Sequence, residues 1–419
     1  MITHTQLLPG VTLHCCQDHR FKQNTLSLAL CRPTRDEEAA LNALLPAVLL
    51  RGCEKYPDMR QVILRLDDLY GAGMSSSVRI TGDYQTTGIA CSFIDDCYAL
   101  PGDQVLKPLT EFIYEILRNP YTENGVFSAE YVESERKNLL SAIDSRKNDK
   151  RVYAADRLLE LSCGNDPFGV PRLGRRQRVE EVTPERLWQH YEKVLQESPI
   201  ELFYVGSREA EEVAALLKPV FEGLDRRVQP LPPQTDLNAS APCDVEEALE
   251  VAQGRLSMAF VSPLTVRHEL MIPAQVMMLI YGGSTGKLFN VIREKLSLCY
   301  DIGASYYKTK GLMTVSAGID FDKKQQVLRE VHSLLQECCD GVFTDAELSA
   351  AKNTLIAQLQ SSQDSPGGIE FYCMNGLLSG KSIEVNDYIR AVAQVTKEQV
   401  CQAAKLFTCN TTYFLKGVQ

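Results

Sequence analysis

Residues 26–33 read LSLALCRP and residues 256–263 read LSMAFVSP. The two stretches lie 230 positions apart. At that offset Gly52 meets Gly282, Tyr70 meets Tyr300, Gly73 meets Gly303 and Ser75 meets Ser305. Later segments repeat at a shorter offset. FSAEYVESERKNLLSAI (127–143) resembles FTDAELSAAKNTLIAQL (343–359), and VTPERLWQHYEKVL before IELFYVG resembles VTKEQVCQAAKLF before TTYFLKG. Self-similarity of this kind marks a duplicated domain.

Each copy begins with an apolar strand, followed by a helix and then a second, amphipathic helix. In the first copy Met59, Val62, Ile63, Leu66 and Tyr70 recur at helical spacing, with Pro57 suited to the opening turn and Gly71 to the stop. An alternating hairpin comes next: MSSSVRIT-GDYQ-TTGIACSFI in one copy and IGASYY-KTK-GLMTVSAGI in the other. Long helices such as VLKPLTEFIYEIL follow. A closing helix capped by Thr183 or Thr396, with Glu185 or Glu398 in its first turn, leads to a last strand. Antiparallel strands with helices on one side make each copy α+β. The expected division is an N-terminal domain over 1–225, a proline-rich extended linker RRVQPLPPQTDLNASAP over 226–242, and a C-terminal domain over 243–419.

Composition narrows the function classes. Of the 419 residues, 44% are hydrophobic and 23% charged, an ordinary globular balance. A net charge of −10 argues against a nucleic-acid partner, which calls for a clustered basic face. The longest nearly apolar stretch, AALNALLPAVLL (39–50), is too short to cross a bilayer and contains Asn42 and Pro46, so no membrane association is expected. The N-terminus has no basic start before an apolar core. With fourteen cysteines, that points to reduced thiols in a cytoplasmic setting. Cys15-Cys16 and Cys338-Cys339 lack zinc-ribbon spacing and read as packed small hydrophobes. The run from His14 to His19 alternates like a strand and reads as no metal site.

GGSTGKLFNVIREKLSLCY (282–300) invites a phosphate-loop reading and fails it. The required glycine five residues before Gly286 is Tyr281, and the hydroxyl after Lys287 is Leu288. The glycines instead offer a tight entry to a helix with apolar positions Leu288, Val291, Ile292 and Leu296. Arg293 and Tyr300 share a face if that helix persists for two turns; if it ends near Ser297, Tyr300 opens the next strand. On residue type alone Arg293 reads as a solvated helix charge beside Glu294 and Lys295.

Together the duplication and this segment resemble the M16 (pitrilysin/insulinase, mitochondrial processing peptidase-like) family along essentially the whole chain. The family signature is a glycine-rich turn, a helix bearing Arg-Glu-Lys and a Tyr seven residues after the Arg. It is matched by Gly282, Gly283, Leu288, Arg293, Glu294, Lys295, Leu298 and Tyr300; Ser297 departs, standing where the family usually has Gly. The resemblance implies two homologous α+β halves forming half of a peptidase clamshell that encloses a peptide. The family's His-x-x-Glu-His places two imidazoles on one helical face to bind zinc, with the Glu activating water. Here those positions fall on Ala43, Pro46 and Ala47, and the third-ligand position falls on Ser141 or Ala142. No histidine pair has helical three- or four-residue spacing. The chain is therefore expected to hold no metal or cofactor of its own and to cleave nothing alone.

The resemblance implies instead a non-catalytic subunit. Tyr300 would donate to a scissile carbonyl as it becomes an oxyanion, Arg293 would hold a nearby substrate oxygen, and zinc would sit only in a partner carrying His-x-x-Glu-His. A heterodimer is expected, and a homodimer when the chain is alone. The rival reading is a structural or peptide-binding protein that holds an extended peptide at a sheet edge without chemistry.

Overall fold

The structure is a computed structural model that describes residues 2–418. Its principal strands in the first half are β1 (Ile2–Leu8), β2 (Val11–Gln17), β3 (Gln23–Pro33), β4 (Gly73–Thr81), β5 (Tyr84–Ile94) and β6 (Ile200–Gly206). Those in the second half are β7 (Cys243–Leu249), β8 (Gly254–Val261), β9 (Asp301–Tyr307), β10 (Leu312–Ile319) and β11 (Thr408–Gly417). They form a six-stranded sheet, β1-β2-β6-β3-β5-β4, and a five-stranded sheet, β9-β10-β8-β11-β7. Read from β2 and from β7, the two orders are one topology, with β1 added to the first sheet. Each sheet contains one parallel pair, β2 with β6 and β7 with β11, among antiparallel neighbours. The α+β class and the duplication both hold.

The principal helices are α1 (Asp36–Leu49), α2 (Met59–Asp68), α3 (Leu106–Arg118), α4 (Ala129–Asn148), α5 (Lys150–Cys163), α6 (Pro184–Glu197), α7 (Ala210–Phe221), α8 (Met271–Gly282), α9 (Lys324–Cys339), α10 (Asp345–Ser361), α11 (Pro366–Leu378), α12 (Val385–Gln394) and α13 (Lys397–Ala404). The closing helices α6 and α13 start as read: Thr183 accepts from the Arg186 N–H, and Thr396 forms a reciprocal capping box with Gln399. The start of α2 differs. Its cap is Asp58, which accepts from the Gln61 N–H at 2.9 Å, and Pro57 lies outside the helix.

Ser27 apart, LSLALC (26–31) carries no polar residue, because both faces of β3 are buried. Leu26, Leu28 and Leu30 enter the main core of the first unit, while Ser27, Ala29 and Cys31, on the opposite face, are buried as well. The same holds for β8, where Leu256, Met258 and Phe260 alternate with buried Ser257 and Ala259. Helices on one side of each sheet therefore do not complete the fold.

The second face is covered by an exchange. The chain forms two compact units: Met1–Ile143, Val170–Pro233 and Gln363–Met374 make one, and Asp144–Gly169, Gln234–Ser362 and Asn375–Gln419 make the other. The units are thus not the halves 1–225 and 243–419. In the second unit, α5 from the first half lays Ala154, Leu158 and Cys163 against Ala259, Leu312, Tyr413 and Leu415. In the first unit, Glu370 of the segment 363–374 accepts from the Ser27 hydroxyl at 2.9 Å and meets Arg79 of β4 at 2.8 Å. Residues 226–242 form neither helix nor strand, as their prolines require, but they are tethered. Arg226 donates to the Leu195 and Ser198 carbonyls, and the Asn238 N–H donates to Asp166.

Each exchanged segment brings a carboxylate to a cation on the receiving hairpin. The second such pair is Asp166–Lys310, 3.1 Å apart, with side chains 1% and 0% exposed. Lys310 also donates to the Thr235 carbonyl, and Asp166 accepts from the Phe168 and Asn238 N–H groups. An ion pair so far from water is tolerable only when its remaining hydrogen-bonding capacity is met, and removing one partner strands the other. Asp166→Asn is expected to cost about 3–5 kcal/mol, read as a lower urea midpoint. Adding Lys310→Met should recover most of that loss; a double variant no more stable than the single one would refute this account.

Candidate functional site

The segment 282–300 lies wholly in the second unit. Helix α8 ends at Gly282, where a Cβ would come within 2.4 Å of the Ala304 methyl on β9. A Cβ on Gly286 would sit 2.8–3.0 Å from the Gly283 N–H and the Ile280 and Leu279 carbonyls. These glycines serve close packing of a helix end against a strand. Lys287, the residue that suggested a phosphate loop, is nearly buried and paired with Glu337 of α9 at 2.6 Å.

Residues Leu288–Lys295 form a π-helix, closed by the Leu296 N–H donating to the Val291 carbonyl at 2.9 Å. Leu288 and Ile292 are fully buried and anchor it to the core; Val291 and Leu296 are half-buried. The helix ends at once, because Ser297 takes φ +49°. That left-handed conformation is the physical reason for a glycine at this position, and it turns the chain out of the helical path. Tyr300 does not ride a second helical turn: its N–H donates to the Gly318 carbonyl at 2.8 Å, opening the strand β9.

Arg293 and Tyr300 both face solvent. The Arg293 side chain is 44% exposed, with its guanidinium carbon 4.8 Å from the centre of the Phe289 ring and its Nε 3.8 Å from Glu294. Tyr300 is 59% exposed, and its hydroxyl donates to Asp320 at 3.0 Å. Among the described residues no hydrogen bond joins Arg293 to Tyr300. The carboxylate that accepts from the phenol, and its charge, hold the Tyr300 pKa above the ordinary tyrosine value. The phenol therefore stays protonated, a donor, throughout the neutral range.

The Asp320 contact was not anticipated from sequence. Ile94-Asp95 and Ile319-Asp320 stand at the same point, just after the hairpin, in both copies. The duplicate tyrosine differs: Tyr70, at φ +60°, donates not to Asp95 but to Asp103 at 2.5 Å, and Asp95 accepts from Asn24 at 3.0 Å. At the 230-residue offset, Ile63 of α2 takes the place of Arg293.

The positions aligned with a metal motif lie in the first unit. Ala43 and Pro46 are buried within α1 and Ala47 is half-buried; Ser141 and Ala142 are exposed on α4. Their neighbour Asn42 is fully buried, bonded to Gln85 at 2.8 Å and to the His190 ring at 2.7 Å. Burial depresses the His190 pKa to about 4, so this imidazole is neutral and serves packing. His14 is likewise occupied, between Glu201 at 2.7 Å and the His4 ring at 2.6 Å. Among the described residues no group of three histidine, cysteine or acidic side chains is arranged to hold a metal ion. None of the described helices is long and apolar enough to cross a membrane.

Two outcomes test this local geometry. Ser297→Gly should raise stability by up to about 1 kcal/mol, and Ser297→Val should lower it, in chemical denaturation. Asp320→Asn should bring the Tyr300 pKa down toward the ordinary value in a tyrosine-resolved NMR titration. The sign comes from the raised folded value: the phenol–carboxylate contact stabilises the fold below the unfolded tyrosine pKa and is lost as pH rises through the folded one.

Residues 181–355 match the family model described as Peptidase M16 inactive domain. A Bacillus subtilis protein named probable inactive metalloprotease YmfF is 26% identical over 411 residues, which cover 98% of this chain and 96% of that one. The crystal structure of a conserved protein from Enterococcus faecalis superposes with a TM-score of 0.91 at 26% identity, covering 100% of this chain and 99% of that one. A peptidase M16 inactive domain from Pseudomonas fluorescens shares the fold with a TM-score of 0.81 at 15% identity, over 100% of this chain and 98% of that one. The chain is thus similar in sequence to an inactive M16-type protein over nearly its whole length, and residues 181–355 match the model of that family's inactive domain.

Proposed function

We propose that this chain is the non-catalytic subunit of a cytoplasmic M16-type zinc peptidase, lining a peptide chamber whose zinc and general base belong to a partner bearing His-x-x-Glu-His. The observation that carries this reading is the placement of Tyr300. It is an exposed, protonated phenol at the start of β9, the end strand of its sheet, with Arg293 on the short helix just before it. An end strand offers backbone N–H and C=O groups to an extended peptide. A peptide paired there would run past the phenol, which exchanges Asp320 for a developing oxyanion at little cost because the contact is exposed. The guanidinium of Arg293 supplies a second donor. Alanine, proline and alanine at positions 43, 46 and 47 supply neither ligand nor base, which fits the name borne by the Bacillus subtilis relative.

A second reading, peptide holding without chemistry, draws on the Tyr300–Asp320 hydrogen bond, which gives the phenol a partner inside its own chain. The two separate in one experiment. The chain alone should carry no stoichiometric zinc and cleave no fluorogenic peptide. Mixed with a His-x-x-Glu-His-bearing M16 chain it should support turnover, and Tyr300→Phe in the mixture should lower kcat by about a hundredfold. Unchanged turnover with Tyr300→Phe would remove the catalytic role and leave peptide holding.

A further inference from the structure

In the first unit a cavity of about 380 Å³ opens between the loop before α2, α2 itself, α3 and α7. That volume is at the small end of ligand sites, suited to a molecule of amino-acid size. Arg65 of α2 lines it, and the Arg65 Nε is buried without a hydrogen-bond partner. Among the described residues no hydrogen bond or ion pair reaches this guanidinium at all. Other half-buried or buried arginines are paired: Arg32 with Glu38 and Glu197, Arg79 with Glu370, Arg226 with four carbonyls. The Nε itself is shut off from solvent, whereas the two Nη groups of the same guanidinium are unpaired but not buried, and they are the donors an acceptor in the cavity would meet.

The rest of the lining defines that acceptor. Lys55 and Lys107 add two cations, and Glu111 and Glu115 add two carboxylates. Glu115 is engaged by Asn119 at 2.9 Å; Glu111 makes no hydrogen bond among the described residues. Three cations against two carboxylates favour a monoanionic or zwitterionic ligand and disfavour a polyanion. Tyr56, set edge-on to Phe112 at 5.3 Å, and Tyr114 give flat apolar surface, extended by Leu216 and Pro219 of α7.

We propose that this cavity binds a small zwitterion of the amino-acid or short-peptide class: its carboxylate on the Arg65 fork, its ammonium toward Glu111, and an aromatic or apolar side chain against Tyr56 and Leu216. The fork geometry of arginine suits a carboxylate in a way a lysine does not. The site uses neither Arg293 nor Tyr300, so it stands apart from the peptidase reading.

The test is calorimetric titration of the full chain with four probes: L-phenylalanine, 3-phenylpropionate, phenethylamine and inorganic phosphate. Phenylalanine should bind saturably, phenylpropionate more weakly, and phenethylamine and phosphate not at all. Arg65→Gln should weaken phenylalanine and phenylpropionate by about tenfold or more, with an unchanged thermal midpoint showing intact folding. Arg65→Lys, which keeps charge but not the fork, should fall between, and Glu111→Gln should weaken phenylalanine alone. Absence of saturable phenylalanine binding, or binding indifferent to Arg65→Gln, overturns the site. Phosphate binding equal to that of phenylalanine overturns the ligand class.

Discussion

A central strand with two apolar faces needs two covers, and each half of this chain folds with helices for only one. That shortage is the constraint on which the architecture rests. It is met by reciprocity: α5 of the first half shields Ala259, Tyr413 and Leu415, and residues 363–374 of the second half meet Ser27 and Arg79. Apolar contact alone would permit sliding. The carboxylates of Asp166 and Glu370 fix the register, because a buried charge has few places where its demands are met.

The candidate site inherits its form from the same economy. Gly282 lets a helix end approach β9, Leu288 and Ile292 pin the π-helix, and Ser297 stops it in a left-handed turn. The result is a phenol at the head of an end strand and a guanidinium one short helix upstream. Both are held by backbone while their polar tips remain in solvent. The mechanical demands on the segment explain its glycines and its lysine without any phosphate.

How much of this was legible depended on range. The repeat was, since a constant offset between Gly52 and Gly282 or Tyr70 and Tyr300 needs no knowledge of packing. Capping by Thr183 and Thr396 was, being local. Asp58 was passed over for Pro57 because both residue types suit a helix start, and only the hydrogen bond to Gln61 decides between them. The exchange of α5 was invisible, since nothing in its own periodicity says which sheet it will cover. Asp320 was missed for a similar reason: twenty residues separate it from Tyr300, and the hairpin between them folds that distance away. Arg65 carries no mark in the sequence, because an absent partner leaves no trace there.

The interleaving has a further consequence for the chain as an object. Between Met1 and Gln419 the backbone passes from one unit to the other five times: after Ile143, Gly169, Pro233, Ser362 and Met374. Cutting the exposed stretch near Pro233 severs one passage of the five and leaves each fragment owning part of both units. Separately expressed halves would each present an uncovered sheet, and would have to find one another before either could become a finished fold.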